Sequence, residues 1–145
     1  MAIFLEKVKK KINDQLNPQD VLLIDATIVE KSDSVQKLVQ LMENSGTSDF
    51  VVTDTNGKYC GMVTAEDLRA ALVYREAIPL LQVSEIQRSD LPTISMGQQL
   101  DIVLDKFSMN DVQSLAVIGD DDQINGMITR SNLMKRYQKA LDEDY

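Results

Sequence analysis

Two stretches of the chain carry the same order of apolar and polar positions. Residues 49–68 read DFVVTDTNGKYCGMVTAEDL, and residues 114–133 read SLAVIGDDDQINGMITRSNL. In the first, the apolar runs Phe50–Val52 and Tyr59–Val63 flank Asn56-Gly57, a strong signal for a hairpin turn. In the second, Asp120-Asp121-Asp122 takes the place of that turn. The offset is 65 residues: Val52 aligns with Val117, Gly61 with Gly126, Met62 with Met127, Thr64 with Thr129 and Leu68 with Leu133. Extended backwards without a gap, Val29 aligns with Ile94, Val35 with Leu100, Leu38 with Val103, Val39 with Leu104 and Met42 with Phe107. Apolar register held over this length marks a duplicated structural unit.

Each copy predicts a short strand (28–30; 93–95) and an amphipathic helix (34–44; 99–110). The spacing of Val35, Leu38, Val39 and Met42 makes one helical face. A hairpin follows (50–53 with 58–63; 115–118 with 123–128), and a second helix begins after Thr64 or Thr129. Thr64-Ala65-Glu66-Asp67 resembles a capping box, in which the threonine and the acid three residues later satisfy each other's amides. The fold class expected is thus mixed α+β, with two pseudo-symmetric β-α-β-β-α repeats packed together. Residues 1–17 predict an additional N-terminal amphipathic helix, with Leu5, Val8, Ile12 and Leu16 on one stripe and Lys7, Lys9, Lys10 and Lys11 around it. The division expected is 18–76 for the first repeat, 77–90 for a linker helix starting around Pro79 and spanning Ile78–Ile86, and 91–142 for the second repeat.

Composition narrows the chemistry. The 145 residues include no His, no Trp and one Cys, and 15 Lys+Arg against 23 Asp+Glu give a net charge of −8. Without histidine there is no imidazole base, no Ser-His-Asp or Cys-His pair and no histidine-ligated metal. Cys60 alone makes no intrachain disulfide and no cysteine zinc site. The acidic balance disfavours coating of a phosphate backbone, so no nucleic-acid partner is expected. No apolar run approaches the length of a membrane span, and the opening apolar stretch stops at Glu6 and Lys7, so neither a span nor a signal peptide is expected. A cytoplasmic protein that is not an enzyme is the expectation. The Asp120–Asp122 run lacks the spaced ligands and closing Glu of a calcium loop and reads as a polar turn. Cys60 reads as a small hydrophobe at a strand position.

The motif Gly-hydrophobic-hydrophobic-Thr-x-x-Asp, present at Gly61–Asp67 and again at Gly126–Asn132, resembles a pair of CBS domains (a Bateman module) over roughly residues 18–142. Residues 67–86, DLRAALVYREAIPLLQVSEI, and residues 128–141, ITRSNLMKRYQKAL, further resemble the cytosolic C-terminal CBS pairs of bacterial CLC chloride channels. The resemblance implies binding of AMP, ADP or ATP as a regulatory ligand in clefts between the halves. It also implies a homodimer through the CBS helices and a channel domain as attached partner, with this chain at the cytosolic face of the membrane. No cofactor is required.

Carried onto this chain, the resemblance assigns one site to Thr64 and Asp67 with Leu91, Pro92, Thr93, Gln113, Ser114 and Leu115. The pseudo-symmetric site takes Thr129, Arg130, Ser131 and Asn132 with Ala26, Thr27, Ser48, Asp49 and Phe50. An Asp in the first turn can accept ribose hydroxyls, and a helix N-terminus offers amides to a phosphate. Asn132 stands where the family carries Asp; Glu66 puts negative charge beside the phosphate position of the first site, and Asp49 beside that of the second, where Arg130 offsets it. The alternative is a dimerisation scaffold whose clefts are vestigial.

Overall fold

The structure, a computed structural model, describes Val21 and residues 23–144; the expected N-terminal helix lies outside the described residues. In chain order the elements are β1 (Ile28–Glu30), α1 (Val35–Ser45), β2 (Phe50–Thr53), β3 (Tyr59–Val63), α2 (Ala65–Leu72), a 3-10 helix (Arg75–Leu80), α3 (Val83–Ile86), α4 (Leu100–Asn110), β4 (Ser114–Ile118), a 3-10 turn (Asp120–Asp122), β5 (Ile124–Thr129) and α5 (Arg130–Asp144). β1 pairs with β2 in parallel and β2 with β3 antiparallel, while β4 and β5 form a second sheet. The described chain divides into two compact units. One comprises Ala26–Leu91 with Asp120–Ile124; the other comprises the residues up to Asp25, Pro92–Gly119 and the chain from Asn125 onward.

In the unit containing the first repeat, Val29, Val35, Leu38, Phe50, Val52, Val63, Leu68, Ala71, Ile78 and Val83 form one buried cluster. It joins the inward positions of the strands to the apolar faces of α1 and α2, as the period of each element requires. α1 starts at Ser34, whose Oγ accepts from the Lys37 amide at 3.2 Å, and stops at Gly46, left-handed at φ 73°. The hairpin turns at Gly57 (φ 77°), and the Asp54 carboxylate accepts the amides of Asn56 (2.8 Å) and Lys58 (3.0 Å).

The stretch expected as one helix over 78–86 is broken. Pro79 lies inside the 3-10 helix, and Leu81 and Gln82 are extended before α3 resumes. The extended backbone serves α1: the Leu81 carbonyl accepts the Val35 amide (2.9 Å), and the Val83 amide donates to Asp33 (2.8 Å). An amide at the first helical position needs such an outside acceptor. The strand expected at 93–95 is likewise reduced to a single parallel bridge, Ile94 with Val117. Pro92 has no amide to pair; the Ser95 amide goes to the Gln98 side chain at 3.2 Å, as the Glu30 amide goes to Asp33 in the first repeat.

Each unit also gains a segment from outside its own hairpin. Arg88 pairs antiparallel with Met62 in one unit, and Ile24 with Met127 in the other, each by two backbone hydrogen bonds of 2.7–3.0 Å. These pairings explain the repeated glycine. A Cβ on Gly61 would sit 2.7 Å from the Arg88 carbonyl oxygen, and one on Gly126 (φ 147°) would sit 2.9 Å from that of Ile24. Close backbone approach is a use only glycine meets without displacement.

Candidate functional site

In the first-repeat unit, three short segments converge at one end of the sheet. The Thr27 carbonyl accepts the Val51 amide (2.9 Å), which sets Ala26 and Thr27 alongside buried Phe50. Asp49, just before β2, reaches α2: its Oδ1 accepts the Ala65 amide at 3.0 Å. Thr64 and Asp67 complete the capping box. Asp67 Oδ2 accepts from the Thr64 amide and from Thr64 Oγ1, both at 2.8 Å, while Thr64 Oγ1 accepts the Asp67 amide at 3.4 Å. Thr64 is buried and Asp67 half-buried, so this carboxylate stands at the helix start with Oδ1 outside those bonds. Glu66 is exposed and pairs with Arg69 at 2.9 Å.

The second-repeat unit builds the corresponding end with different chemistry. Pro92 and Thr93 are half-buried and lead into the Ile94 bridge, while Ser114 and Leu115 are buried at the start of β4. The Arg130 amide, equivalent to that of Ala65, donates to the Gln113 backbone carbonyl at 2.8 Å rather than to a carboxylate. Thr129 Oγ1 accepts the Asn132 amide at 3.1 Å, the cap geometry of Thr64 without the acid. Arg130 lines a groove between α4 and α5 with Leu104, Asp105, Phe107, Ser108, Leu133 and Met134.

The candidate residues divide between the two compact units. Ala26, Thr27, Phe50, Thr64, Asp67 and Leu91 belong to one unit; Pro92, Thr93, Ser114, Leu115, Thr129, Arg130 and Asn132 belong to the other. Sequence reading missed Arg88. It holds Asp90 through Nε–Oδ1 (3.2 Å) and Nη2–Oδ2 (2.9 Å). Asp90, and more weakly the charge of Asp67, raises the Arg88 pKa, and the same guanidinium lowers that of Asp90. Only the pairing of residue 88 with β3 brings this cation to the Thr64–Asp67 unit; no local motif announces it. Burial pushes the Cys60 thiol up. Among the described residues no three metal-binding side chains cluster, and no helix is long and apolar enough to cross a membrane.

The CBS domain family matches this chain twice, over residues 19–74 and 83–139. The chain belongs to the CBS domain family. As a tandem CBS pair, it is 23% identical over 117 residues to inosine-5'-monophosphate dehydrogenase of Methanocaldococcus jannaschii, covering 81% of this chain and 23% of that enzyme. This CBS pair spans about a quarter of the length of the curated relatives it matches first. Among solved structures, the CBS domain pair of protein MJ0100 in complex with 5'-methylthioadenosine and S-adenosyl-L-methionine is similar at TM-score 0.73 and 18% identity, covering 86% of this chain and 97% of that one. CbpB in complex with c-di-AMP is similar at TM-score 0.70 and 19% identity, covering 95% and 96%. These likenesses establish the CBS-pair fold, including the second repeat despite its reduced leading strand.

Proposed function

We propose that this CBS pair is a regulatory module that binds an adenosine-containing ligand and passes the occupancy to an attached or partner protein. The observation that carries the reading is Asp67, held by Thr64 through Oδ2 at the first turn of α2, in the motif position that the resemblance assigns to ribose. The ligands of MJ0100 and CbpB, all adenosine compounds, support the class. The helix starts also suggest which adenosine compound. Asp49 already occupies the first α2 amide and Asp67 the Thr64 amide just before it, both with negative charge, so an adenosyl group that is neutral or cationic suits the first repeat better than ATP. Regulation requires only that the ligand bind one arrangement of the protein more tightly than another.

A thermal-shift titration with AMP, ADP, ATP and S-adenosylmethionine tests this. A ligand at 100 times its Kd stabilises by about 2.7 kcal/mol, and Asp67→Ala removes most of that gain while Asn132→Ala removes less. No shift from any of the four at millimolar concentration overturns the reading.

A second reading, self-association with vestigial sites, has its own observation. Val73, Tyr74 and Leu80 in one unit and Ile102, Met109 and Met134 in the other are apolar and exposed, and a homodimer through these helices would cover them. A chloride channel as attached partner rests on the two sequence stretches alone, so the partner proposed is defined by this CBS pair's role and not by that resemblance.

A further inference from the structure

Lys106 bonds a backbone carbonyl of the second repeat from a position that holds an apolar side chain in the first; the lysine of α1, Lys37, donates to Asp33, which accepts the Glu30 amide. The counterpart of Lys106, 65 positions earlier, is Leu41, a half-buried side chain packed against the first-repeat core. Lys106 is also half-buried, yet its Nζ donates to the Thr93 backbone carbonyl and, at 3.0 Å, to Gln98 Oε1. The same Gln98 oxygen accepts the Ser95 amide. One ammonium and one amide thus tie α4 to the stretch from Thr93 to Ser95.

This is the stretch whose strand pairing is reduced. In the first repeat, β1 is fixed by three successive pairs with β2, from Ile28–Val51 to Glu30–Thr53. In the second, Ile94–Val117 is the single bridge described at the equivalent place, and Pro92 contributes no amide. A segment with one backbone pairing opens more easily than one with three. Ile94 turns its amide and carbonyl to β4, so the Thr93 carbonyl and the Ser95 amide lie on the opposite edge of the segment, where Lys106 and Gln98 hold them.

We infer that Lys106 is a positioning residue that pins the Pro92–Thr93 segment against α4 and thereby sets the affinity of the ligand site to which the resemblance assigns Pro92 and Thr93. The inference rests on the functional reading above for its ligand and on the hydrogen bonds alone for the pin. A hydrogen bond from a charged donor holds a carbonyl more firmly than a neutral one, and burial lowers the Lys106 pKa without any carboxylate among its bonded partners.

The test compares wild type, Lys106→Met and Lys106→Arg by amide hydrogen exchange across residues 91–97 and by calorimetry with AMP and with S-adenosylmethionine. The apolar substitution is compatible with folding, because Leu41 fills the same position in the first repeat. Lys106→Met is expected to exchange about tenfold faster over this segment alone and to bind the probe about tenfold more weakly, the factor one lost charge-assisted hydrogen bond produces. Lys106→Arg, which keeps the charge and donors, is expected to recover much of both. Wild-type exchange in Lys106→Met overturns the pin. Faster exchange with wild-type affinity overturns its effect on the ligand. If wild type binds neither probe, the functional reading and the effect on affinity both fail, and the exchange rates still accept or reject the pin.

Discussion

Tyr59 opens β3 with a buried hydroxyl that has no hydrogen-bond partner among the described residues. Burial, with smaller contributions from the negative charges of Cys60 and Asp90, pushes its pKa up to about 12 from 10. A raised pKa means that the native state favours the neutral phenol. The corresponding stability is fully present below about pH 10 and is lost as the pH rises from about 10 to about 12. Tyr59→Phe should flatten this alkaline loss, measured as urea midpoints at neutral and alkaline pH. Because the hydroxyl is unpaired, the same substitution should raise stability at neutral pH by up to about 1 kcal/mol. Nothing in the sequence marks Tyr59; alternation along the strand gives its face but not the absence of a partner.

At the scale of the element, caps and turns were legible because their chemistry is local. Gly57 and the Thr64–Asp67 box each act within four residues of themselves. The Asp49 bond to Ala65 was not legible, since it joins positions 16 residues apart. It completes the start of α2 by giving the first amide an acceptor. Asp49→Ala should therefore destabilise the protein by about 1 kcal/mol, as loss of a cap does, with the drop read from chemical denaturation. Asp49→Asn, which keeps an acceptor oxygen, should recover most of it. The sequence placed Asp49 as a charge beside a phosphate; the structure shows that its oxygen is committed to a helix amide.

For the whole molecule, the boundaries of the repeats differ from those of the compact units. Ile24 lies within the first family match yet pairs with Met127 in the unit that holds the second hairpin, and Arg88 lies within the second match yet pairs with Met62. Deleting the chain up to Asp25 should therefore weaken β5 more than β2 and β3. Hydrogen exchange should show faster exchange at Met127, whose amide donates to the Ile24 carbonyl at 3.0 Å, with little change at Val51. Equal loosening of both hairpins would contradict this placement.

The sequence by itself determined the duplication, the element types, the hairpin and the Thr64 cap, because each is written in periodicity or in neighbours a few residues apart. It also excluded histidine and cysteine-cluster chemistry, since composition suffices for that. Tertiary structure decided the broken helix at Leu81–Gln82, the shortened strand at Ile94, the role of Asp49 and the arrival of Arg88 and Lys106 beside candidate residues. In each case a backbone group required a partner distant in the chain, and which partner it found depended on packing. The two motif glycines show both sides. Repetition flagged Gly61 and Gly126, and only the approach of the Arg88 and Ile24 carbonyls gave the reason no side chain fits there.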